Sequence, residues 1–204
     1  MSVARAAMIA VVLLPVRAGA ATAPNDLRDL RLGTPVKALP TKGYGGFACA
    51  ADPSIKLADW SAYQTCPTSA DGTRTIEFRY EDSDKTEVAG QPVRLGLLID
   101  NEATVVGLKI DTDPNARLYL RKKAFLFALQ VRARFGEDGW TCRQQSPTAV
   151  EQPVGGVFIH EHCEKTTESR RLVLDRQLYR DPGQDLSQFT SATQLTILLP
   201  GGRD

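Results

Sequence analysis

Apolar and polar residues alternate along several stretches of this chain, and the alternation predicts a sheet-rich fold. The clearest stretch is 75–81, where Ile76, Phe78 and Tyr80 alternate with charged residues. That spacing is typical of an antiparallel strand with one buried face. Further strands are predicted in a stretch that begins near Phe47 and in the stretches 155–165, 170–180 and 191–199.

The stretch 93–110 predicts a β-hairpin. Two apolar runs, 93–99 and 104–110, flank a polar turn at 100–102. A short polar turn between two such runs is a hairpin signal. Asn101 in the turn suits a left-handed backbone conformation.

A long helix is predicted directly after the hairpin. Asp113 can cap it, Pro114 can be its first residue, and Gly136 is a typical residue just beyond a helix end. Apolar residues occupy most of its circumference, so we expect it to be buried and to form the core. Its six basic residues are expected to be solvated flanks, and they are Arg117, Arg121, Lys122, Lys123, Arg132 and Arg134. A second, short helix is predicted from Pro35 to Pro40.

The order of elements predicts an α+β fold in which an antiparallel sheet packs against one long helix. Each half of the chain has a cysteine pair, a nearby tryptophan and a following strand at a similar distance. The halves 24–112 and 113–204 are therefore candidates for two degenerate tandem units.

The first 20 residues have the features of a secretory signal peptide. Arg5 provides a positive start, 6–14 is a short apolar run, and Ala18-Gly19-Ala20 is a cleavage sequence of small residues. We expect the mature chain to be 21–204, with a cut after Ala23 as the alternative, and to lie in the periplasm. No later apolar stretch has the length of a membrane helix.

Charge argues against nucleic acid as a partner. The chain has 25 Lys and Arg against 24 Asp and Glu, and removal of Arg5 and Arg17 with the leader gives 23 − 24, or −1. A nucleic-acid-binding domain usually carries a clear positive excess. The remaining length is enough for one domain with a substantial core.

All four cysteines follow the leader, and an even number in an exported chain predicts disulfides. Three connectivities are open. We expect the local pairing, Cys49 with Cys66 and Cys142 with Cys163, in which each bridge closes a loop of about 20 residues. No C-x-x-C motif is present, so a thioredoxin-like redox site is not indicated.

The stretch FIHEHCEK, 158–165, contains both histidines of the chain. On a strand, His160, His162 and Glu164 share one side, while Cys163 shares the other side with residues that face the core. A His-x-His pair with a carboxylate can bind zinc or copper. No further histidine completes the ligand set, so an ordinary solvated face is the main expectation and metal binding the alternative.

The remaining motifs do not favour catalysis. Asp111, Asp113 and Asn115 begin like a calcium loop, but Ala116 and Lys122 replace the glycine and glutamate that such a loop needs. There is no G-x-S-x-G, no H-E-x-x-H and no phosphate-binding glycine motif. We therefore predict no enzymatic activity and no cofactor other than the metal ion of the alternative. A hydrolase with two carboxylates is a third hypothesis.

The stretch DLRLGTPVKAL resembles the opening of BamE-type modules through Leu30, Leu32, Gly33, Val36 and Leu39. With its two local cysteine pairs, the chain is also similar to β-lactamase inhibitory protein-like tandems of such units. It departs from them in the second half, where one long helix replaces two short ones. The resemblance implies a protein-binding module.

Four stretches resemble an uncharacterised family of exported proteobacterial proteins, namely LGTPVKALPTKGYGGFAC, TDPNARLYLRKKAF, RFGEDGWTC and SATQLTIL. That family is associated with methylotrophs and quinoprotein alcohol dehydrogenase systems, some of them lanthanide-dependent. Our leading hypothesis is a non-catalytic periplasmic accessory protein that binds another protein, such as an exported enzyme or a metal-carrying protein. The alternative is a protein that binds or delivers a transition metal or a lanthanide.

Overall fold

Antiparallel strand pairing dominates the structure, as the alternating sequence pattern predicts. The computed structural model describes residues 25–81, 85–185 and 188–201, and all pairs of strands in these residues are antiparallel. The strands are β1 (Tyr44–Cys49), β2 (Arg74–Tyr80), β3 (Glu87–Val88), β4 (Gln91–Ile99), β5 (Val105–Thr112), β6 (Thr141–Gln144), β7 (Ile159–Thr166), β8 (Arg171–Tyr179) and β9 (Thr190–Leu198).

The sheet is continuous through both halves of the chain. Its strand order is β1-β2-β4-β5-β9-β8-β7-β6, and the short β3 pairs with β4. The first half thus contributes β1, β2, β4 and β5 to one side, and the second half contributes β6 to β9 to the other. The two halves meet where β5 pairs with β9, the last strand of each half.

The predicted long helix is wrong in its first part. The segment forms a turn at Asp113–Ala116, a four-residue helix α1 (Leu118–Arg121), and then the 12-residue helix α2 (Ala124–Phe135). The Asp113 carboxylate accepts the N–H of Asn115, so it closes this turn instead of capping a helix. Gly136 follows α2 with φ 87°, a backbone conformation that favours glycine. A 3-10 helix, Val36–Ala38, stands at the predicted short helix.

The helix is also less buried than its composition predicts. Only four residues of α2 are buried, namely Ala124, Phe127, Ala128 and Val131. This side packs on β8 and β9, which hold the helix through hydroxyl groups. Thr193 Oγ1 donates to the Ala124 carbonyl (3.0 Å), and Ser191 Oγ donates to the Arg121 carbonyl (2.9 Å). Its outer side faces solvent because the helix forms a single layer on the sheet.

The core lies between one face of the sheet and the elements that cover it. In the first half these elements are the 25–43 segment and a 3-10 helix, Trp60–Thr65. Trp60 is 2% exposed, packs edge-on against Phe78 of β2, and donates to the Pro40 carbonyl (2.8 Å). Buried leucines and isoleucines of β2, β4, β5, β8 and β9 complete the core, including Ile76, Leu97, Leu108, Leu174 and Ile197.

The hairpin is confirmed, but its turn differs from the prediction. The residue in left-handed conformation is Ala103 (φ 60°) and not Asn101. The Asp100 carboxylate explains the shape, because its Oδ1 accepts from both Glu102 N and Thr104 N (2.9 Å each). The side chain thereby places the left-handed residue two positions later than the polar pattern suggests.

The local disulfide pairing is confirmed. Cys49 bonds to Cys66 and ties the end of β1 to the end of the Trp60–Thr65 helix. Cys142 bonds to Cys163, its directly opposite residue in the β6–β7 pair.

The predicted signal peptide, 1–20, lies outside the described residues. Among the residues that are described, no helix has the length and apolarity required to cross a membrane.

Candidate functional site

The face of the sheet opposite the helix carries a row of polar side chains that crosses six strands. We call it the central row. Register places its members side by side, and they are Arg94, Asp111, Gln194, Asp175, His162 and Arg143. All are exposed or half-buried. This open face is therefore a charged surface of both signs, in contrast to the apolar face under the helix.

A depression of about 760 Å³ lies in the open face. Gly96 contributes to its floor. A Cβ on that glycine would lie 3.2 Å from Thr75 Cγ2, so any side chain would raise the floor and crowd its neighbour. Leu98 and Val173 provide apolar walls, and Glu77 and Lys109 lie beside the central row. The depression combines an apolar base with charged sides, which is the composition of many binding surfaces.

His162 is held between two carboxylates. Its Nδ1 donates to Asp175 Oδ1 (2.7 Å) and its Nε2 donates to Glu164 Oε1 (3.1 Å). Since a carboxylate only accepts, both contacts together require the doubly protonated ring. Hydrogen bonds to Asp175 and then Glu164 accordingly raise the pKa of His162 above its usual value. Glu164 also accepts from Arg171 (3.0 Å), and its pKa is lowered by the hydrogen bonds from His162 and Arg171.

Asp111 belongs to the central row too, but unlike Asp175 it has a carboxylate oxygen without a donor among the described residues. Its Oδ1 is buried and has no hydrogen-bond partner among the described residues. Burial raises the pKa of Asp111, opposed by the charges of Lys109 and Arg94. β5 is the fourth of the eight strands in the order above, so this unsatisfied acceptor lies near the middle of the open face. A buried acceptor without a donor is costly, and a cation that a binding partner places over the accessible part of this carboxylate would offset that cost.

The structure brings together only part of the predicted metal site. His162 and Glu164 touch, as described, and His162 borders the depression. His160 lies on the same side of β7 but stacks on Tyr179 (6.1 Å between ring centroids) and contacts Glu151 (Nδ1–Oε1 3.7 Å). In the described part of the chain, three ligating side chains with all donor atoms within 4.8 Å occur only at Cys142, Glu161 and Cys163, where both sulfurs form the disulfide. Metal binding at His160, His162 and Glu164 stays a prediction.

Sequence reasoning missed most of the open face. Arg94, Lys109 and Asp111 are polar residues inside apolar runs, at positions that alternate with buried ones. That alternation could have marked them as members of a solvent face. Their meeting with Asp175 and His162 depends on the β5–β9 pairing, which joins residues more than 80 positions apart and leaves no local signal.

A scan against protein-family models, a search of curated proteins and a search of solved structures each find no match for this chain.

Proposed function

We propose that this chain is a non-catalytic periplasmic accessory protein that binds another protein through the open face of its sheet. The observation that carries the proposal is Asp111, a buried and unsatisfied carboxylate oxygen near the middle of a broad polar face. The Asp111 side chain as a whole is only half-buried and lines the depression, so a lysine or arginine that a partner places over the carboxylate would pair with its charge.

The dimensions of the face support a protein partner. The eight strands of the order above, spaced ~4.8 Å apart, are roughly 35 Å wide. The five residue pairs that join β5 to β9 at the centre add roughly 17 Å in the other direction. The product, roughly 600 Å², approaches the ~800 Å² that each partner buries in a stable complex. The apolar lining at Leu98 and Val173, bordered by charges, matches the usual arrangement of an apolar centre and a polar rim.

The test is affinity capture of the tagged chain from periplasmic extract, performed in parallel with two charge reversals. Asp111→Lys places a like charge where the partner's cation would sit, and we expect it to lose the captured protein. Glu137→Lys makes the same charge change at an exposed residue after α2, and we expect it to keep that protein. Equal capture by both variants, or no stoichiometric protein with the unaltered chain, contradicts the proposal.

The second candidate function is metal binding at His162 and Glu164, and one observation favours it. Metal-binding histidines usually donate their second ring nitrogen to a carboxylate, and His162 Nδ1 has this contact with Asp175. A metal would take Nε2 and Glu164 in place of their mutual hydrogen bond. Calorimetric titration with Zn²⁺, and separately with a lanthanide ion, tests this candidate. Heat that is lost in His160→Ala with His162→Ala supports it, and absence of heat with the unaltered chain contradicts it.

A further inference from the structure

The outer side of the helical segment carries large apolar side chains that the described residues leave exposed. Tyr119 and Leu129 are each 55% exposed, and Phe125 is 47% exposed. They make up three of the five large exposed hydrophobic residues in the described part of the chain. Phe125 and Leu129 are four residues apart in α2, so they are neighbours on one side of the helix. Phe125 and Leu129 thus form an exposed apolar pair on α2, with exposed Tyr119 on the preceding α1, and exposed apolar surface of this kind marks a contact surface.

The same segment is strongly basic. Residues 114–136 contain six Lys and Arg and no Asp or Glu, in a chain that is close to neutral overall. Arg117, Lys122 and Lys123 are exposed and form no hydrogen bond or ion pair through their side chains with described residues. The outer side of the helical segment thus presents apolar side chains beside cations to which the described residues supply no counter-charge.

The size of the apolar patch argues for a lipid surface over a protein. With side-chain areas of ~150–250 Å², the three exposures amount to roughly 300 Å². A stable protein interface buries ~800 Å² per partner, of which somewhat over half, or ~450 Å², is apolar, so the patch is smaller than the apolar part of such an interface. Shallow insertion of a few apolar side chains, supported by adjacent cations, is how surface helices bind anionic bilayers.

We propose that the outer side of α1 and α2 binds the surface of an anionic lipid bilayer. Phe125, Leu129 and Tyr119 enter the boundary between headgroups and acyl chains, and the exposed cations meet the headgroup phosphates. The inner side of α2 is fixed to β8 and β9, so the helix lies flat on the bilayer as part of the folded domain. The open face of the sheet is on the opposite side of the molecule and stays accessible.

The test is co-sedimentation of residues 21–204 with vesicles of phosphatidylcholine alone and with added phosphatidylglycerol. We expect binding to the anionic vesicles only, weakened by added salt. Each cation near an anionic surface contributes roughly fivefold in affinity, so Lys122→Glu with Lys123→Glu should reduce binding by more than about 25-fold. Lys42→Glu with Lys56→Glu makes the same charge change at exposed lysines elsewhere and should change binding by less than about twofold.

The insertion of apolar side chains is tested separately with Phe125→Ser and Leu129→Ser combined. We expect this variant to lose binding to anionic vesicles while keeping the thermal midpoint of the unaltered chain. The proposal is overturned by a lack of binding to anionic vesicles, by equal losses in the two charge variants, or by unchanged binding of the serine variant. It is also overturned if light scattering shows a dimer that the serine variant dissociates, because the patch is then an interface between two copies.

Discussion

Replacement of Asp111 by asparagine should stabilise the free protein. The buried Oδ1 has no donor, and burial raises the pKa of Asp111, so its ionised form is disfavoured in the folded state. Asparagine keeps the shape of the side chain and removes the charge. An unsatisfied buried acceptor costs ~1–3 kcal/mol, and the amide relieves only the charged part of that cost. We therefore expect about 1 kcal/mol of stabilisation, or an increase of ~2–4 °C in the thermal midpoint.

The pH dependence of this stabilisation follows from the raised pKa of Asp111. A raised carboxyl pKa means that the stability associated with the protonated acid is present below the unfolded pKa, ~3.9, and is lost as the pH rises through the folded pKa. The advantage of Asp111→Asn should thus be largest at neutral pH and should disappear near pH 4. Thermal unfolding followed by circular dichroism from pH 4 to pH 8 measures it.

Asp175→Asn is the matched control, because Asp175 belongs to the same row but accepts from His162. This variant should lose roughly 1 kcal/mol, since the histidine loses its charged partner. The reasoning is refuted if Asp111→Asn destabilises the protein at neutral pH or if the two variants behave alike. Under the proposed function, Asp111→Asn should also weaken partner binding, so that stability and affinity change in opposite directions.

Three further predictions concern single contacts. Because the pKa of His162 is raised, its contribution to stability is complete below ~pH 6.5 and is lost as the pH rises through the folded pKa. The urea midpoint, measured from pH 6 to pH 9, should therefore fall more in the unaltered chain than in His162→Gln. Parallel curves for the two chains would contradict this. Phe127 is 2% exposed, and Phe127→Ala should lower the free energy of unfolding by ~3–5 kcal/mol in urea. Phe125→Ala, on the outer side of the same helix, should lower it by less than ~1 kcal/mol. Similar losses in the two variants would contradict the packing of Phe127 on the sheet. Removal of the first disulfide by Cys49→Ala with Cys66→Ala should lower the free energy of unfolding by about 3 kcal/mol in the same assay, because the bond no longer closes its loop in the unfolded chain. An unchanged urea midpoint would contradict this contribution of the disulfide.

The parts of the fold that depend on local patterns could be predicted from the sequence. Strand β2 and the β4–β5 hairpin follow from alternation and turn composition, and the disulfides follow from cysteine spacing. The burial of the helix is lower than its composition predicts because its apolar residues lie on both its inner and its outer side. Phe127 packs on the sheet, while Phe125 faces solvent, and a count of apolar residues cannot separate the two. The open face was missed because the β5–β9 register is a long-range property.

The candidate metal residues show the same limit. Alternation correctly separates the His162 side of β7 from the Cys163 side, which faces the core. It gives no information on Asp175, which comes from the neighbouring strand and bonds to the ring of His162. Neither does it show that His160 is stacked on Tyr179.

A partner protein that covers the open face can be detected by site-specific photocrosslinking. A photoreactive residue at Thr196, which borders the depression, is compared with one at Glu137, beyond the end of α2. Both chains are expressed with residues 1–20 retained and are irradiated in intact cells. If a partner covers the open face, we expect one discrete protein adduct from position 196 and no adduct of that mass from position 137. The same adduct from both positions, or from position 137 alone, would contradict it.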